Sequence, residues 1–153
     1  LFALTLGARF SVLAQWEPAL YRYRKAIREY GLAEQCASVR SFDIPPDFDE
    51  LLGGKRDTAF PKMLETCTAC IEQDGAEVIC LGSTTMHEAA AWLAERLPVP
   101  VINPGPLTYK LVESMLALGL THSRAAYPAP LDPQPDLLHA MMDGARDAAG
   151  EAP

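Results

Sequence analysis

The sequence predicts an α/β fold with a parallel four-stranded sheet flanked by helices. Strand-like apolar runs alternate four times with helix-like segments, which is the pattern of strands joined by helical crossovers. The length of 153 residues suits one domain, and 49% of the residues are hydrophobic, which is enough for a substantial core. Glycine and proline residues stand at the expected ends of these segments. Chirality makes each crossover right-handed.

The predicted strands mark where a binding cleft would lie. They cover residues 10–14, 36–44, 76–82 and 99–103. Ligands of parallel α/β sheets bind outside the carboxyl ends of the strands. The candidates to line a cleft are therefore the segments at these ends, residues 14–16, 43–45, 82–85 and 103–105.

Helical periodicity fills most of the intervals between the strands. The predicted helices cover residues 15–32, 59–75, 83–97 and 104–119, and an amphipathic segment, Asp136 to Ala149, follows a proline-rich stretch. The start resembles the tail of a helix that ends at a left-handed Gly7. Residues 45–57 are predicted to form a loop. We expect one domain over residues 1–128 and a proline-rich tail with a short helix over residues 129–153.

Composition and charge argue against several classes of function. The formal net charge is −7 and the 13 Lys and Arg residues are scattered, so neither nucleic acid nor anionic membrane lipid is an expected partner. No apolar run is long enough to cross a bilayer, and the start lacks the pattern of a signal peptide. The four cysteines are predicted to be reduced thiols in the cytoplasm. The three histidines are too dispersed for a metal site.

The strand end richest in polar groups is Gly82-Ser83-Thr84-Thr85. Gly82 lets a ligand approach the backbone closely. The hydroxyl groups and amides that follow it stand at the positive end of the next helix, which favours a carboxylate or another anion. A purely structural explanation is equally open, because Thr85 and Glu88 have the spacing of a capping box.

Cysteine and histidine residues elsewhere favour structural interpretations. Cys67 and Cys70 form a CxxC motif on the apolar face of a predicted helix, which favours buried thiols that pack as small hydrophobic groups. Cys80 lies within the third predicted strand and is expected in the core. His87 is one helical turn from Ser83, so that a role in the site and a solvent-facing position are both open. The sequence contains no phosphate-binding glycine motif and no nucleophile elbow.

Four blocks of sequence, taken with their order and spacing, carry a family resemblance. They read LTLGARFSVLAQW, YGLAEQCASVRSFDI, DGAEVICLGSTTM and PVPVINPGPLTYKLVESML. Together they resemble the second half of a protein of the aspartate/glutamate/hydantoin racemase superfamily, most closely its hydantoin-racemase-like branch. The resemblance extends from about residue 1 to about residue 128.

The resemblance implies two similar α/β lobes around a central cleft, of which this chain supplies the second. It implies racemase or isomerase chemistry, without cofactor or metal, at the α-carbon of amino acids, hydantoins or related carboxylates. Two cysteines typically face each other across such a cleft, and a thiol suits this task because its pKa of about 8.5 is readily tuned toward neutrality. The expected partner is a small-molecule carboxylate or hydantoin substrate, and we expect a homo-oligomer.

The sequence departs from the family pattern in two respects. It begins where the first lobe would run into the second, so we expect the lobe with the first cysteine to be missing and the chain alone to be inactive. Ser83 stands where the second cysteine is expected, and an unassisted serine hydroxyl is a far weaker acid than a thiol. Cys80 lies three residues earlier, inside the strand, and does not replace that cysteine.

The predicted site residues follow from this resemblance and from the strand ends. Ser83 occupies the acid/base position, and the substrate-binding residues are Gly82, Thr84, Thr85 and Gln15. Two alternatives stay open: a single-cysteine decarboxylase or isomerase of the same superfamily, and a non-catalytic binding protein that has lost the second thiol. Without a first lobe, the apolar residues within 1–6 and 111–118 would be exposed, which predicts poor solubility or self-association.

Overall fold

The computed structural model contains a parallel four-stranded sheet, so the predicted fold class is confirmed. With the strands numbered along the chain, their spatial order is second, first, third and fourth. The structure describes residues 1–45 and 56–149. The strands are β1 (Phe10–Ala14), β2 (Cys36–Ser41), β3 (Val78–Leu81) and β4 (Val101–Ile102). All four lie in the first of two compact units, Leu1–Glu113, and the second unit is Ser114–Pro153.

Five α-helices follow within the described ranges. They are α1 (Leu20–Glu29), α2 (Arg56–Glu72), α3 (His87–Ala94), α4 (Pro104–Ala117) and α5 (Pro135–Ala149). Single 3₁₀ turns cover Phe2–Thr5, Glu17–Ala19 and Thr84–Met86. The predicted loop at residues 45–57 lies mostly outside the described residues, and its last two residues belong to α2. Over the two described ranges, no helix combines the length and the apolar character that crossing a membrane requires.

Strand β1 is the most buried element, and its two faces contact different helices. Every residue of β1 is buried. Leu13 packs into a cluster with Cys67 and Cys70 of α2 and Leu93 of α3. The alternate residues Phe10, Val12 and Ala14 pack with Leu20 of α1 on the other side. A central strand covered on both faces by helices is the arrangement that parallel sheets require.

The apolar face predicted for the second helix is confirmed in α2. Met63, Cys67 and Cys70 are at most 2% exposed, and Leu64 and Ile71 pack against the same cluster. A period of three to four residues places all of these side chains on one side of a helix. The first turn of the chain contributes to the opposite layer through Ala3, which is buried beside Phe10.

The prediction of a left-handed Gly7 is wrong. Positive φ angles occur at Gly31, Gly75 and Gly119, but not at Gly7, and the residues before it form a 3₁₀ turn. Gly7 instead allows a close approach to the start of β3. A Cβ atom there would lie 3.0 Å from both Glu77 Cβ and Val78 Cγ2. Glycine at position 7 is therefore explained by close packing and not by a positive φ angle.

Several segments are shorter than the sequence predicted. β2 ends at Ser41 because Asp43 turns the backbone out of the strand with a φ of 49°. Asp is among the few residue types other than glycine that tolerate this left-handed region. The helix predicted over residues 15–32 begins only at Leu20, after a 3₁₀ turn that contains Pro18. α5 covers the amphipathic segment predicted in the second unit.

Large apolar side chains are exposed in both compact units. In the first unit, Leu1 is 82% and Leu6 is 47% exposed. In the second unit, Leu116 is 72% and Leu118 is 73% exposed. These residues belong to the segments expected to self-associate, and that behaviour stays a prediction.

A bidentate ion pair joins the edge strand β2 to the turn that follows α2. Arg40 Nε and Nη2 donate to the two carboxylate oxygens of Asp74 over 2.6 and 2.8 Å, and Nη2 also donates to Gln73 Oε1 over 3.0 Å. The Arg40 guanidinium lowers the pKa of the Asp74 carboxyl, and a hydrogen bond from Ser38 adds to the effect. Paired planar geometry of this kind is stronger than a single surface contact.

We expect Asp74→Asn to lower the free energy of unfolding near neutral pH and to make it less sensitive to acid. Asp74 has a depressed pKa in the folded state, so it stabilises the fold above its unfolded pKa of about 3.9. That contribution is lost as the pH falls through the folded-state value. Urea unfolding between pH 3 and pH 8 would therefore show the two proteins converging below about pH 4. The exposed Glu72→Gln change is the control, and an equal effect of both variants would contradict the role of Arg40.

Candidate active site

Gly82 brings the end of β3 against β1. Its N–H donates to the Leu13 carbonyl oxygen over 2.8 Å, which extends the β1–β3 pairing past the last residue of β3. A Cβ atom at position 82 would lie 2.8 Å from that oxygen and 2.8 Å from the Tyr23 hydroxyl oxygen. A side chain cannot be accommodated there without displacing backbone, so this strand end requires glycine.

Tyr23 contacts the same strand end from α1. Its hydroxyl donates to the Gly82 carbonyl oxygen over 2.6 Å. Its ring is half-buried against the core that contains Leu20. Apolar spacing accounts for the ring on this face of α1, but it leaves the hydroxyl unexplained. A tyrosine on the core-facing side of a predicted helix is the feature of the sequence that could have indicated this contact, because a buried phenol oxygen needs a hydrogen-bond partner.

Ser83 caps the 3₁₀ turn that runs into α3. Its backbone is extended, with φ −143° and ψ 145°, and its Oγ accepts a hydrogen bond from the Thr85 N–H over 3.3 Å. The same Oγ lies 2.8 Å from Thr85 Oγ1, and either hydroxyl can be the donor. The spacing of Thr85 and Glu88 allowed a cap at Thr85, but Thr85 lies inside the 3₁₀ turn and the cap of that turn is two residues earlier. The helix enters through a 3₁₀ turn, which moves its first free amides toward Ser83.

The end of β4 lies beside this turn. Asn103 Oδ1 accepts from the Gly105 N–H over 3.3 Å, and Asn103 Nδ2 donates to the His87 carbonyl oxygen over 3.5 Å. A Cβ atom on Gly105 would come within 3.8 Å of Thr84 Cγ2. Asn103 therefore orders the start of α4 and also touches the start of α3. His87 is the first residue of α3 and is exposed to solvent.

The predicted site residues all follow β1 or β3, which are paired strands. Gln15 directly follows β1, is half-buried and accepts a backbone hydrogen bond from Ile44 over 3.0 Å. Gly82 and Ser83 are half-buried, and Thr84 and Thr85 are exposed. The hydroxyl groups of this turn are thus at the surface and next to the carboxyl ends of neighbouring strands. Their functional roles stay predictions.

A concave feature lies at the edge of the sheet, and of the strand ends predicted to line a cleft it includes part of residues 43–45, through Asp43. It is a groove of about 620 Å³ between α1, β2 and α2. Buried Leu20, Val39 and Phe42 lie along it, and its charged side chains are Glu17, Arg24, Arg40, Asp43, Lys62 and Glu65. Its lining includes none of the predicted site residues. The lining comes from three segments that are distant in sequence, so no single local motif could have indicated the whole groove.

A comparison with models of protein families identifies the family of this chain. Residues 1–112 match the model of the Asp/Glu/Hydantoin racemase family. The chain belongs to this family.

Known racemases resemble the chain over about half of their own length. The hydantoin racemase of Rhizobium meliloti is 30% identical over 129 residues, which cover 82% of this chain and 52% of that protein. The hydantoin racemase of Paenarthrobacter aurescens is 27% identical over 130 residues, which cover 84% of this chain and 54% of that protein. The chain thus spans about half the length of the curated relatives it matches.

Solved structures support the same assignment. An allantoin racemase from Klebsiella pneumoniae superposes with a TM-score of 0.77 and 32% identity, over 86% of this chain and 53% of that one. An allantoin racemase from Pseudomonas fluorescens superposes with a TM-score of 0.73 and 27% identity, over 87% of this chain and 56% of that one. The predicted superfamily membership and the racemase fold are therefore confirmed.

The thiols of this racemase-family chain lie in or against its core. Cys67 and Cys70 are 0% exposed, as their positions on the apolar helix face predicted. Burial raises the pKa of Cys67 to about 12 and that of Cys80 to about 11. Burial also raises the pKa of Cys70 and of the half-buried Cys36. Thiols with raised pKa values are poor bases and poor nucleophiles near neutral pH.

We expect Gly82→Ala to destabilise the racemase fold by about 2 kcal/mol, since the added methyl group would overlap the Leu13 carbonyl oxygen. Gly105→Ala is the matched control. Its nearest neighbour would be 3.7 Å away, which is an ordinary contact, and Gly105 has no positive φ. Chemical denaturation of both variants measures the difference, and equal stabilities would contradict the close approach at Gly82.

Alkylation of the native protein with iodoacetamide at pH 8 should modify Cys36 before Cys67 and Cys70. Cys36 is half-buried, whereas the two helix thiols are fully buried and Cys67 has a pKa of about 12. Mass spectrometry of peptides gives the order of labelling. The denatured protein, in which all thiols react, is the control. Labelling of Cys67 as fast as that of Cys36 would show that α2 does not bury its thiols.

Proposed function

We propose that the protein is a cofactor-independent racemase or isomerase that acts at the α-carbon of hydantoins, amino acids or related carboxylates. Within this range we favour 5-substituted hydantoins. The matched relatives are hydantoin and allantoin racemases, and allantoin itself contains a hydantoin ring. One observation carries the proposal: in a chain of this family, the polar turn Gly82–Thr85 lies at the carboxyl end of β3, between β1 and β4.

The chemistry needs a group that stabilises negative charge on a carbonyl oxygen. Removal of the α-proton leaves that charge on the oxygen next to the reacting carbon, and donors fixed in advance stabilise it most. The exposed hydroxyl groups of Thr84 and Thr85, together with the positive end of α3, suit this task. In the proposal, Thr84 and Thr85 hold the anionic side of the substrate, and Gly82 and Gln15 shape the surface around it.

Ser83 has a different role in this proposal from that of a thiol. The hydrogen bonds of its Oγ go to the N–H and the hydroxyl of Thr85, and neither group is a base. An unassisted serine does not abstract a proton near neutral pH. We propose that Ser83 occupies the family's acid/base position but acts through its cap and its hydroxyl as a binding group. The groups that move the proton would then include residues of the whole protein other than this turn.

The engagement of Ser83 in a cap also favours the alternatives. A single-cysteine decarboxylase or isomerase needs a thiol on only one side of the cleft. A binding protein that has lost catalysis needs none. Both predict a serine that holds the turn and binds the substrate without exchanging protons.

The test of the proposed function is α-proton exchange by the full-length protein in D₂O, followed by NMR. The panel contains 5-substituted hydantoins, amino acids and arylmalonates. We expect deuterium incorporation with loss of optical activity on the hydantoins. Incorporation with retention, or release of CO₂, would instead support one-sided chemistry. If no compound in the panel reacts, the racemase proposal fails and the binding protein becomes the better explanation.

Ser83→Ala should lower kcat/KM for this exchange by about tenfold rather than abolish it, because the change removes one binding hydroxyl and one cap. Circular dichroism at the assay temperature checks that the variant stays folded. Ser123→Ala, at an exposed serine in the second unit, is the control. A loss of more than about 1,000-fold would mean that Ser83 is an activated acid or base. If the parent is silent and Ser83→Cys acquires exchange, the parent is a binding protein.

A further inference from the structure

The backbone on both sides of Gly82 is held by hydrogen bonds from two different elements. The Gly82 N–H donates to Leu13 of β1 over 2.8 Å, and the Gly82 carbonyl oxygen accepts from Tyr23 of α1 over 2.6 Å. The first bond fixes the Leu81–Gly82 peptide, and the second fixes the Gly82–Ser83 peptide. Only the second of these bonds comes from a side chain.

The orientation of the second peptide decides where the Ser83 N–H points. A trans peptide is planar, and its C=O and N–H groups point in opposite directions. The described residues contain no cis peptide bond. Because the Gly82 carbonyl oxygen points to the Tyr23 hydroxyl, the Ser83 N–H points away from that hydroxyl. The same peptide also sets the position of Ser83 Oγ, on which the cap of the Thr84–Met86 turn depends.

Because residue 82 is glycine, the Gly82–Ser83 peptide needs a hydrogen bond from outside the turn to keep one orientation. Position 82 requires glycine, because a Cβ atom would collide with the Leu13 carbonyl oxygen and with Tyr23. Glycine is also the residue that rotates most freely about its backbone bonds. Glycine therefore permits close packing at this strand end but leaves its backbone free to rotate. The hydrogen bond from the Tyr23 hydroxyl, which comes from outside the turn, restricts that rotation.

We propose that Tyr23 is a positioning residue for the racemase turn. Its hydroxyl holds the Gly82–Ser83 peptide in the one orientation that directs the Ser83 amide, and the Thr84 and Thr85 hydroxyls after it, toward the substrate. This role rests on the proposed function. The Tyr23 ring fills the α1 side of the core, and the single phenol oxygen sets the geometry of the turn.

The test is Tyr23→Phe in the full-length protein, since this change removes one oxygen atom and keeps the ring. Tyr21→Phe on the same helix is the matched control, because Tyr21 is 67% exposed. Two measurements are made on each protein. The first is the chemical shift and hydrogen-exchange rate of the Ser83 amide in isotope-labelled protein. The second is kcat and KM for α-proton exchange on a 5-substituted hydantoin.

We expect Tyr23→Phe to shift the Ser83 amide resonance, to speed its hydrogen exchange and to lower kcat by about tenfold, with KM changed less than about twofold. A smaller kcat with a constant KM indicates that the turn acts mainly on the transition state. A role in packing alone would lower stability without this division between kcat and KM. Tyr21→Phe should leave all of these quantities unchanged.

Three results would overturn the proposal. They are an unchanged Ser83 amide in Tyr23→Phe, a changed amide with an unchanged kcat, and equal effects in Tyr21→Phe. If the parent protein exchanges no α-proton at all, the proposed function fails separately. In that case the measurement on the Ser83 amide alone tests the role of Tyr23. A shifted and faster-exchanging amide in Tyr23→Phe would show that Tyr23 holds the turn, and an unchanged amide would show that it does not.

Discussion

The close approach of Gly82 to the buried strand β1 is the constraint on which the candidate site depends. β1 is covered by helices on both faces, so the Leu13 carbonyl oxygen cannot move to make room for a side chain. The residue opposite it must be glycine. The fixed position of Gly82 determines where the next residues lie, including the extended Ser83 and the 3₁₀ turn that leads into α3. The position of the turn is thus a consequence of the packing beneath it.

The sequence was enough to predict the strands and helix faces that the pattern of buried residues determines. It was not enough to predict features that depend on contacts between individual atoms. β1 and the apolar face of α2 came out as predicted, since their periodicity reports which side chains face the core. A cap at Thr85 was one open explanation because a capping box is recognised by its spacing, and spacing does not reveal a preceding 3₁₀ turn. Glycine at position 7 was attributed to a left-handed backbone angle, whereas its cause is the close approach of Glu77 and Val78, which are distant in sequence.

The available thiols do not replace the cysteine that the family pattern leads us to expect at position 83. Cys80 lies on β3, three residues before Ser83, and burial raises its pKa to about 11. Cys67 and Cys70 belong to the core between the sheet and α2. Their raised pKa values follow from the same packing that stabilises the fold, so a lower pKa would require the core to open. In the proposed racemase, proton transfer must therefore come from groups other than these three thiols.

The serine at position 83 also has a physical advantage that a cysteine lacks. A hydroxyl oxygen is among the best acceptors for the free amides at the start of a helix, whereas a thiol sulfur is a weak acceptor. Ser83 uses this property directly, through its bond from the Thr85 N–H. A cysteine would supply a more acidic group, but it would weaken the cap that orders Thr84 and Thr85. Proton transfer and positioning thus compete for one side chain, and in this chain the hydrogen bonds of Ser83 favour positioning.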